Sequence, residues 1–365
     1  MLQGTRIYLI RHAESEGNIF RRAHGHYNGL VTDRGYKQLA QLEERLSGVV
    51  IDAVYASDLS RAFTTAEAIS RPRKLEVNTT QMLREVNMGV WEDRAWGELE
   101  YLESDMSNKF SHDPARWSVS GSEPYKDVQN RMLKTIKEIA ERHDSETIAM
   151  VSHGFAIRAL ISLLKNIPSH EAKKIPYCDN TAVTLLNYEN GEIEIEYYSD
   201  NSHLNKENST LERQTWWRTE KKWASENLRY MPLNEVASES LIRIFNAKSG
   251  IRAHVDMQYA AYLADEPIGI IGLDTKRDEK RKIGWIIYIH VIPERRKKSY
   301  GTQLLGLAVS DFRKLGREKL RIVLPAGSLG INFMSRFGFS VLDSTFKSCL
   351  MEKDIKNCLP QKNVE

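Results

Sequence analysis

Residues 6–18 read RIYLIRHAESEGN, and the way this stretch ends decides the fold. Its first half is a short β-rich apolar run, and that run stops at a basic pair, Arg11-His12. Gly17 and Asn18 follow, as in a turn rather than a continuing strand. Working outward, the same grammar recurs. TDRGYKQLAQLEERL (32–46) carries Tyr36, Leu39, Leu42 and Leu46 at helical spacing behind a Thr32 N-cap. DAVYAS (52–57) reads as a strand and LSRAFTTAEAI (59–69) as the helix after it. ETIAMVSHG (146–154) reads as a buried strand leading into the helix FAIRALISLL (155–164). TAVTLLNYENGEIEIEYY (181–198) is a hairpin turning at Glu189, Asn190 and Gly191. Strands alternating with helices make βαβ units and a mostly parallel sheet.

The chain has 365 residues, 41% hydrophobic and 28% charged, with a formal net charge of +3. At roughly 100–200 residues per domain this length predicts two domains. The small net charge and the lack of basic-aromatic interleaving argue against nucleic acid. Cys178, Cys349 and Cys358 suggest neither a metal site nor a disulfide framework. The apolar run IYLI is too short for a signal sequence, and no stretch approaches the roughly 20 apolar residues of a membrane span. The expectation is a cytoplasmic protein without membrane association.

In open α/β sheets, ligands gather at the carboxyl ends of strands. Those ends carry Arg11 and His12, Arg61 of DLSR, and His153-Gly154 of VSHG. Four donors without an acidic partner predict an anion among them, and phosphate suits them. The motifs RHAESEGN, LVTDRGYKQ, ASDLSRAFTTA, LREVNMGVWED, GSEPYKDVQNR, VSHG and DNSHL, in this order, resemble those of the histidine phosphatase superfamily, also called phosphoglycerate-mutase-like, over Met1 to Leu204. The resemblance implies a three-layer α/β/α domain and a metal-independent reaction. His12 would be the nucleophile that carries the phosphoryl group. Arg11, Asn18, Arg61, His153 and Gly154 would bind phosphate, and Glu85 would be the proton donor. Glu92 and Asp93 beside it are read as solvated loop residues. The compact domain, with Trp96 to Gly121 as a lid, points to hydrolysis of a small phosphorylated metabolite; a phosphoglycerate-type mutase is the alternative.

Beyond Leu204 the pattern changes. Residues 205–226 are polar yet contain Trp216, Trp217 and Trp223, and are expected to form a helix between two domains. Then EVASESLIRIFNAK (235–248) reads as an amphipathic helix, MQYAAYLADEPIGIIGLDT (257–275) as two strands, KIGWIIYIHVIP (282–293) as a long strand, GTQLLGLAVSDFRKLG (301–316) as a helix, and KLRIVLPAG (319–327) as a strand. VIPERRKKSYGT (291–302) and the Gly338-Phe339 ending resemble the GCN5-related N-acetyltransferase (GNAT) family, a mixed α/β fold. That resemblance implies acetyl-CoA, with its pyrophosphate held by backbone N–H groups of Arg296, Lys297, Lys298, Ser299, Tyr300, Gly301 and Thr302. Its pantetheine arm would lie along Val291 and Ile292, and an amine would accept the acetyl group. Ser299 stands where the family has a glycine and serves only if φ there is negative. Met334 stands where many members have a proton-donating tyrosine; Tyr300, Tyr288 or a water is the expected substitute, and His290 is a candidate base. The expected organisation is 1–204, a linker 205–226, 227–353 and a tail 354–365. A bifunctional enzyme is the leading reading, an acetyl-CoA-sensing second domain the alternative, and a homodimer is left open.

Overall fold

The computed structural model describes residues 4–214, 226–233 and 254–356. The tryptophans at 216, 217 and 223, the expected helix 235–248 and Cys358 lie outside the described residues.

The first half is built on a six-stranded sheet in the order β3-β2-β4-β1-β5-β6. Its strands are β1 (Thr5–Arg11), β2 (Ala53–Ser57), β3 (Val77–Thr80), β4 (Thr147–Ser152), β5 (Val183–Glu189) and β6 (Glu192–Asp200). β1 runs parallel to β4 and antiparallel to β5, and the β5–β6 hairpin closes one edge. Every residue of β4 is buried, as expected for a parallel strand covered on both faces. One face is covered by α2 (Asp33–Leu46) and α3 (Ser60–Ser70), with Leu42, Leu46, Ala62 and Ile69 in its core. The other is covered by α6 (Tyr125–Ala140) and α7 (Gly154–Leu164), with Val128, Met132, Ile136 and Ile157. The three-layer α/β/α expectation therefore holds. On α2, Thr32 caps the helix by accepting from Gly35 N–H, and Leu39, Leu42 and Leu46 are buried. Tyr36 departs from that stripe and faces solvent. Residues 205–214 pack on this half, where Gln38 donates to Asn208 O and to Thr210 Oγ1.

The second half is a mixed seven-stranded sheet, β12-β13-β11-β10-β9-β8-β7. In chain order the strands are β7 (Arg229–Pro232), β8 (Met257–Leu263), β9 (Glu266–Asp274), β10 (Ile283–Val291), β11 (Lys319–Pro325), β12 (Ser340–Ser344) and β13 (Ser348–Asp354). The helix Tyr300–Lys314 packs across β9 and β10. β10 and β11 pair in parallel only from Ile283↔Lys319 to Ile286↔Ile322. Past that point the two strands are no longer paired.

The two halves share a packed seam. α1 (Glu16–Phe20), directly after the Arg11-His12 pair, lies against the Tyr300–Lys314 helix. Phe20 joins the second half's apolar core with Leu304, Leu307 and Ala308. A Cβ on Gly306 would sit 2.4 Å from the Phe20 Cβ, so only glycine permits this approach. Arg313 pairs with Glu16 at 2.7 Å, with both side chains buried. Gly306→Val is expected to destabilise the chain by about 1–3 kcal/mol through overpacking, seen as a lower urea midpoint. An unchanged midpoint would show that the seam is loose at this point.

Candidate active site

Arg11, His12, Arg61 and His153 converge at the carboxyl ends of β1, β2 and β4. The His12 and His153 rings face each other with centroids 5.1 Å apart. His12 is anchored through its backbone: its N–H donates to Ser152 O at 2.9 Å, and its carbonyl accepts from Asn180 Nδ2 at 2.9 Å. Its Nδ1 lies 2.7 Å from Ala13 O. A neutral ring with the proton on Nδ1 fits that contact and leaves Nε2 with a lone pair. Thr65 on α3 fixes the next residue by accepting from Ala13 N–H at 2.9 Å. Gln38 fixes the one after, accepting from Glu14 N–H at 2.7 Å.

Arg61 is almost fully buried. The turn 24–27 accepts its protons, with Arg61 Nη1 donating to Tyr27 O at 2.8 Å and Nη2 to Gly25 O at 2.8 Å. The turn is itself held by Glu92, which accepts from His26 N–H at 2.7 Å and from Tyr27 N–H at 2.8 Å. Arg11 donates to Cys178 O, and its side chain lies against Gly154. These carbonyl acceptors correct the expectation that only an anion makes the crowding tolerable. So does the state of the histidines. Burial first, then the Arg61 and Arg11 guanidiniums, push His12 well below the usual imidazole range; burial, Arg61 and His12 do the same for His153. Two neutral rings do not repel the arginines.

The site still has unmet hydrogen-bonding capacity. Both ring nitrogens of His153 and the Nε of Arg11 are buried with no hydrogen-bond partner among the described residues. Such groups cost about 1–3 kcal/mol each, and an oxyanion would satisfy the Arg11 Nε–H and the one N–H of the neutral His153 ring. Asn18 uses its Oδ1 to accept from Ser15 N–H at 2.9 Å, which leaves its NH₂ as the donor. The Glu85 carboxylate accepts from Phe155 N–H at 3.0 Å and Ala156 N–H at 2.9 Å, at the start of α7. It therefore stands one residue from Gly154 and two from His153. Arg131 holds the Glu85 segment through Met82 O, Arg84 O and Glu85 O.

Two further expectations are corrected. Asp93 and Glu92 are not solvated: Asp93 is buried and accepts from Arg22 Nε at 2.8 Å, and Glu92 clamps the 24–27 turn. His12, whose reading as a nucleophile requires access from solvent, is only 4% exposed, and His153 is fully enclosed. Arg11, Asn18, Glu85 and Gly154 are half-buried. The Trp96–Gly121 stretch forms α4 (Trp96–Leu102), α5 (Ser104–His112) and an aromatic cluster in which Phe110 stacks on Phe155 at 4.9 Å.

In the second half, the basic loop does open into a helix. Ser299 is its N-cap at φ 63°, in the left-handed region, and Lys297 is at φ 60°. The condition set for Ser299 is thus not met: the loop keeps a glycine-like backbone on residues with a Cβ, at a cost of order 1–3 kcal/mol each. Arg296 N–H is taken by Pro293 O and Thr302 N–H by Ser299 O. The N–H groups of Lys297, Lys298, Ser299 and Gly301 have no backbone acceptor among the described residues. Tyr300 is buried, and Gly301 lies against Phe333. Ile292 N–H donates to Ile268 O, and Val291 O accepts from Arg296 Nε at 2.9 Å, so neither group is directed at a ligand strand as expected. Met334 is fully buried. Burial raises the Tyr288 phenol to about 12.

Comparison with known proteins agrees with this architecture. The family description "Histidine phosphatase superfamily (branch 1)" matches residues 7–201, and "Acetyltransferase (GNAT) family" matches residues 216–339. Phosphoserine phosphatase 1 of Hydrogenobacter thermophilus is 28% identical over 185 residues, covering 51% of this chain and 87% of that protein. Phosphoglycerate mutase-like protein 4 of Arabidopsis thaliana is 32% identical over 202 residues, covering 54% of this chain and 86% of that one. Among solved structures, Bacillus stearothermophilus YhfR superposes with a TM-score of 0.53 at 30% identity, over 55% of this chain and 100% of that one.

The neutral histidines predict a pH dependence of stability. Below pH of about 6.5 the unfolded chain protonates both rings while the folded chain does not, so stability falls as pH falls, by up to about 1.4 kcal/mol per pH unit per group. In phosphate-free buffer, His153→Asn is expected to flatten the drop in urea midpoint between pH 7 and 5.5. An unchanged slope would mean that His153 is charged when folded.

Proposed function

The chain belongs to the histidine phosphatase superfamily, with a GNAT segment behind that domain, and on this basis we propose that it hydrolyses a small phosphomonoester through a phosphohistidine on His12. We take residues 1–204 as the hydrolase unit and 227–353 as the acetyltransferase unit, joined by 205–226. The observation that carries the reading is the set of buried polar atoms on His153 and Arg11, without partners among the described residues, beside a neutral His12. In the reaction, His12 Nε2 attacks phosphorus as the bond to the leaving oxygen breaks, and Glu85 gives that oxygen its proton. Arg11, Arg61, Asn18 and a single N–H of His153 hold the equatorial oxygens, where the charge is spread. Water then attacks the phosphohistidine and returns a proton to Glu85, freeing phosphate and His12. Arginine charge does the work that a metal does in other phosphoryl-transfer sites.

Phosphate release from a panel of small esters without added metal tests this. His12→Ala is expected to abolish turnover, and Glu85→Gln to slow it by about 10²–10⁴-fold, the usual size of an acid–base contribution. Release by His12→Ala at the wild-type rate would overturn the assignment.

For the second half we propose that acetyl-CoA binds at the Lys297–Gly301 loop, beyond the paired part of β10 and β11, and supplies an acetyl group to an amine. The N–H groups of Lys297, Lys298, Ser299 and Gly301, without a backbone acceptor among the described residues, support binding at this helix start. A second reading, an acetyl-CoA-sensing module without turnover, is favoured by fully buried Met334, which has no proton to give. Both readings expect saturating acetyl-CoA to stabilise the chain, by about 2.7 kcal/mol at a hundredfold excess over Kd. Thiol release with a broad amine panel separates them: transfer frees CoA, sensing frees none. No thermal shift at all would sink both.

A further inference from the structure

The Arg313 guanidinium does two things at the seam. It donates from Nη1 to Glu16 Oε2 at 2.7 Å and from Nη2 to Glu16 Oε1 at 3.1 Å. It also interacts with the phenol of Tyr27. Glu16 extends the contact, because its Oε2 accepts from Leu30 N–H at 3.1 Å and its own N–H donates to Leu30 O at 2.9 Å. The 24–30 segment is thereby fastened from one side by a residue of the second half.

It is fastened from the other side as well. Ser310 Oγ and Lys314 Nζ, one turn apart on the same helix, both reach the Asp93 carboxylate. Asp93 in turn pairs with His24 Nε2 at 3.3 Å, and the His24 ring packs on the Tyr27 ring with centroids 4.5 Å apart. Between these two supports lie the carbonyls of His24, Gly25 and Tyr27, and all three accept from Arg61. The supports of the turn that aims Arg61 thus include side chains of the second half as well as of the first.

We infer that Arg313 and Ser310 are positioning residues for the phosphate site: the C-terminal half of the Tyr300–Lys314 helix holds the 24–27 turn whose carbonyls orient Arg61. None of these side chains touches substrate. Their effect is geometric, and small displacements of a phosphate-clamping guanidinium are costly in binding and rate. The fused second half then completes the hydrolase site rather than merely accompanying it. This inference rests on the phosphate reading of the first half.

The test measures inorganic phosphate binding to the full chain by calorimetry, together with KM and kcat on p-nitrophenyl phosphate. Removing Arg313 alone would leave Glu16 buried and uncompensated, so the main variant is Glu16→Gln with Arg313→Met. Arg313→Lys and Ser310→Ala are milder companions, and circular dichroism checks folding. The expected result is a rise of roughly tenfold in the phosphate Kd and in KM for the double variant, with a smaller rise for the companions. Arg313→Lys is expected to fall between wild type and the double variant, because lysine keeps the charge but cannot span Glu16 and Tyr27 together. Folded variants whose phosphate Kd stays within twofold of wild type would overturn the inference, and if the double variant does not fold, the companions decide by the same criterion. A wild-type chain that binds phosphate yet hydrolyses no ester would refute the hydrolase reading and leave the positioning role standing. A wild-type chain that binds no phosphate would overturn both.

Discussion

A guanidinium in a protein interior needs acceptors, and the burial of Arg61 is the constraint around which the first domain is arranged. Its acceptors are backbone carbonyls, not carboxylates, so the cation is satisfied without being neutralised. Positive potential therefore remains in the site. That potential, with burial, keeps His12 and His153 neutral. A neutral imidazole is a nucleophile and a protonated one is not, so in the proposed reaction the same crowding of cations that would attract phosphate also prepares the group that would attack it. The turn 24–27 carries this arrangement, and Glu92, Asn28 and Asp93 exist in the structure chiefly as its supports.

The seam between the halves shows how far those supports reach. Asp93 is enclosed among Arg22, His24, Ser310 and Lys314, and its carboxyl is held well below the usual carboxylate range by these partners against its burial. Glu16 and Arg313 form a second buried pair. Buried pairs contribute little net stability but are expensive to break by halves, which makes them good at fixing one relative placement of two surfaces. Phe20 against Gly306 adds the apolar contact that excludes water from both.

The second domain keeps the architecture of its family with altered particulars. The loop before its Tyr300–Lys314 helix holds left-handed backbone at Lys297 and Ser299, where glycine would be unstrained. Strain of this kind persists where surrounding packing over-determines it, and here buried Tyr300 and the Gly301–Phe333 contact anchor the helix that the loop begins. Met334 packs inside the core, and the nearby tyrosines are buried phenols.

Strand and helix periodicity, read with the Arg11-His12, Arg61 and His153-Gly154 strand ends, was enough to establish two α/β units and to gather two arginines and two histidines at one end of the sheet, because a parallel sheet forces strand ends together whatever the loops do. Glu85 and Asn18 were named from their motifs, and Glu85 lies at the start of α7 beside His153. Thr65, Gln38, Asn180 and Arg131 were not, since each acts through a backbone group distant in sequence, and hydrogen bonds of that kind leave no periodic trace. Nor could residue order reveal that Asp93 is buried, that Ser299 takes positive φ, or that His12 is nearly closed off, because burial and backbone torsion depend on what packs from outside the segment. The sequence by itself determined which chemical groups meet at the strand ends; only the tertiary structure decided which carbonyls and which distant helix hold them there, since that depends on two separately folded surfaces being pressed together.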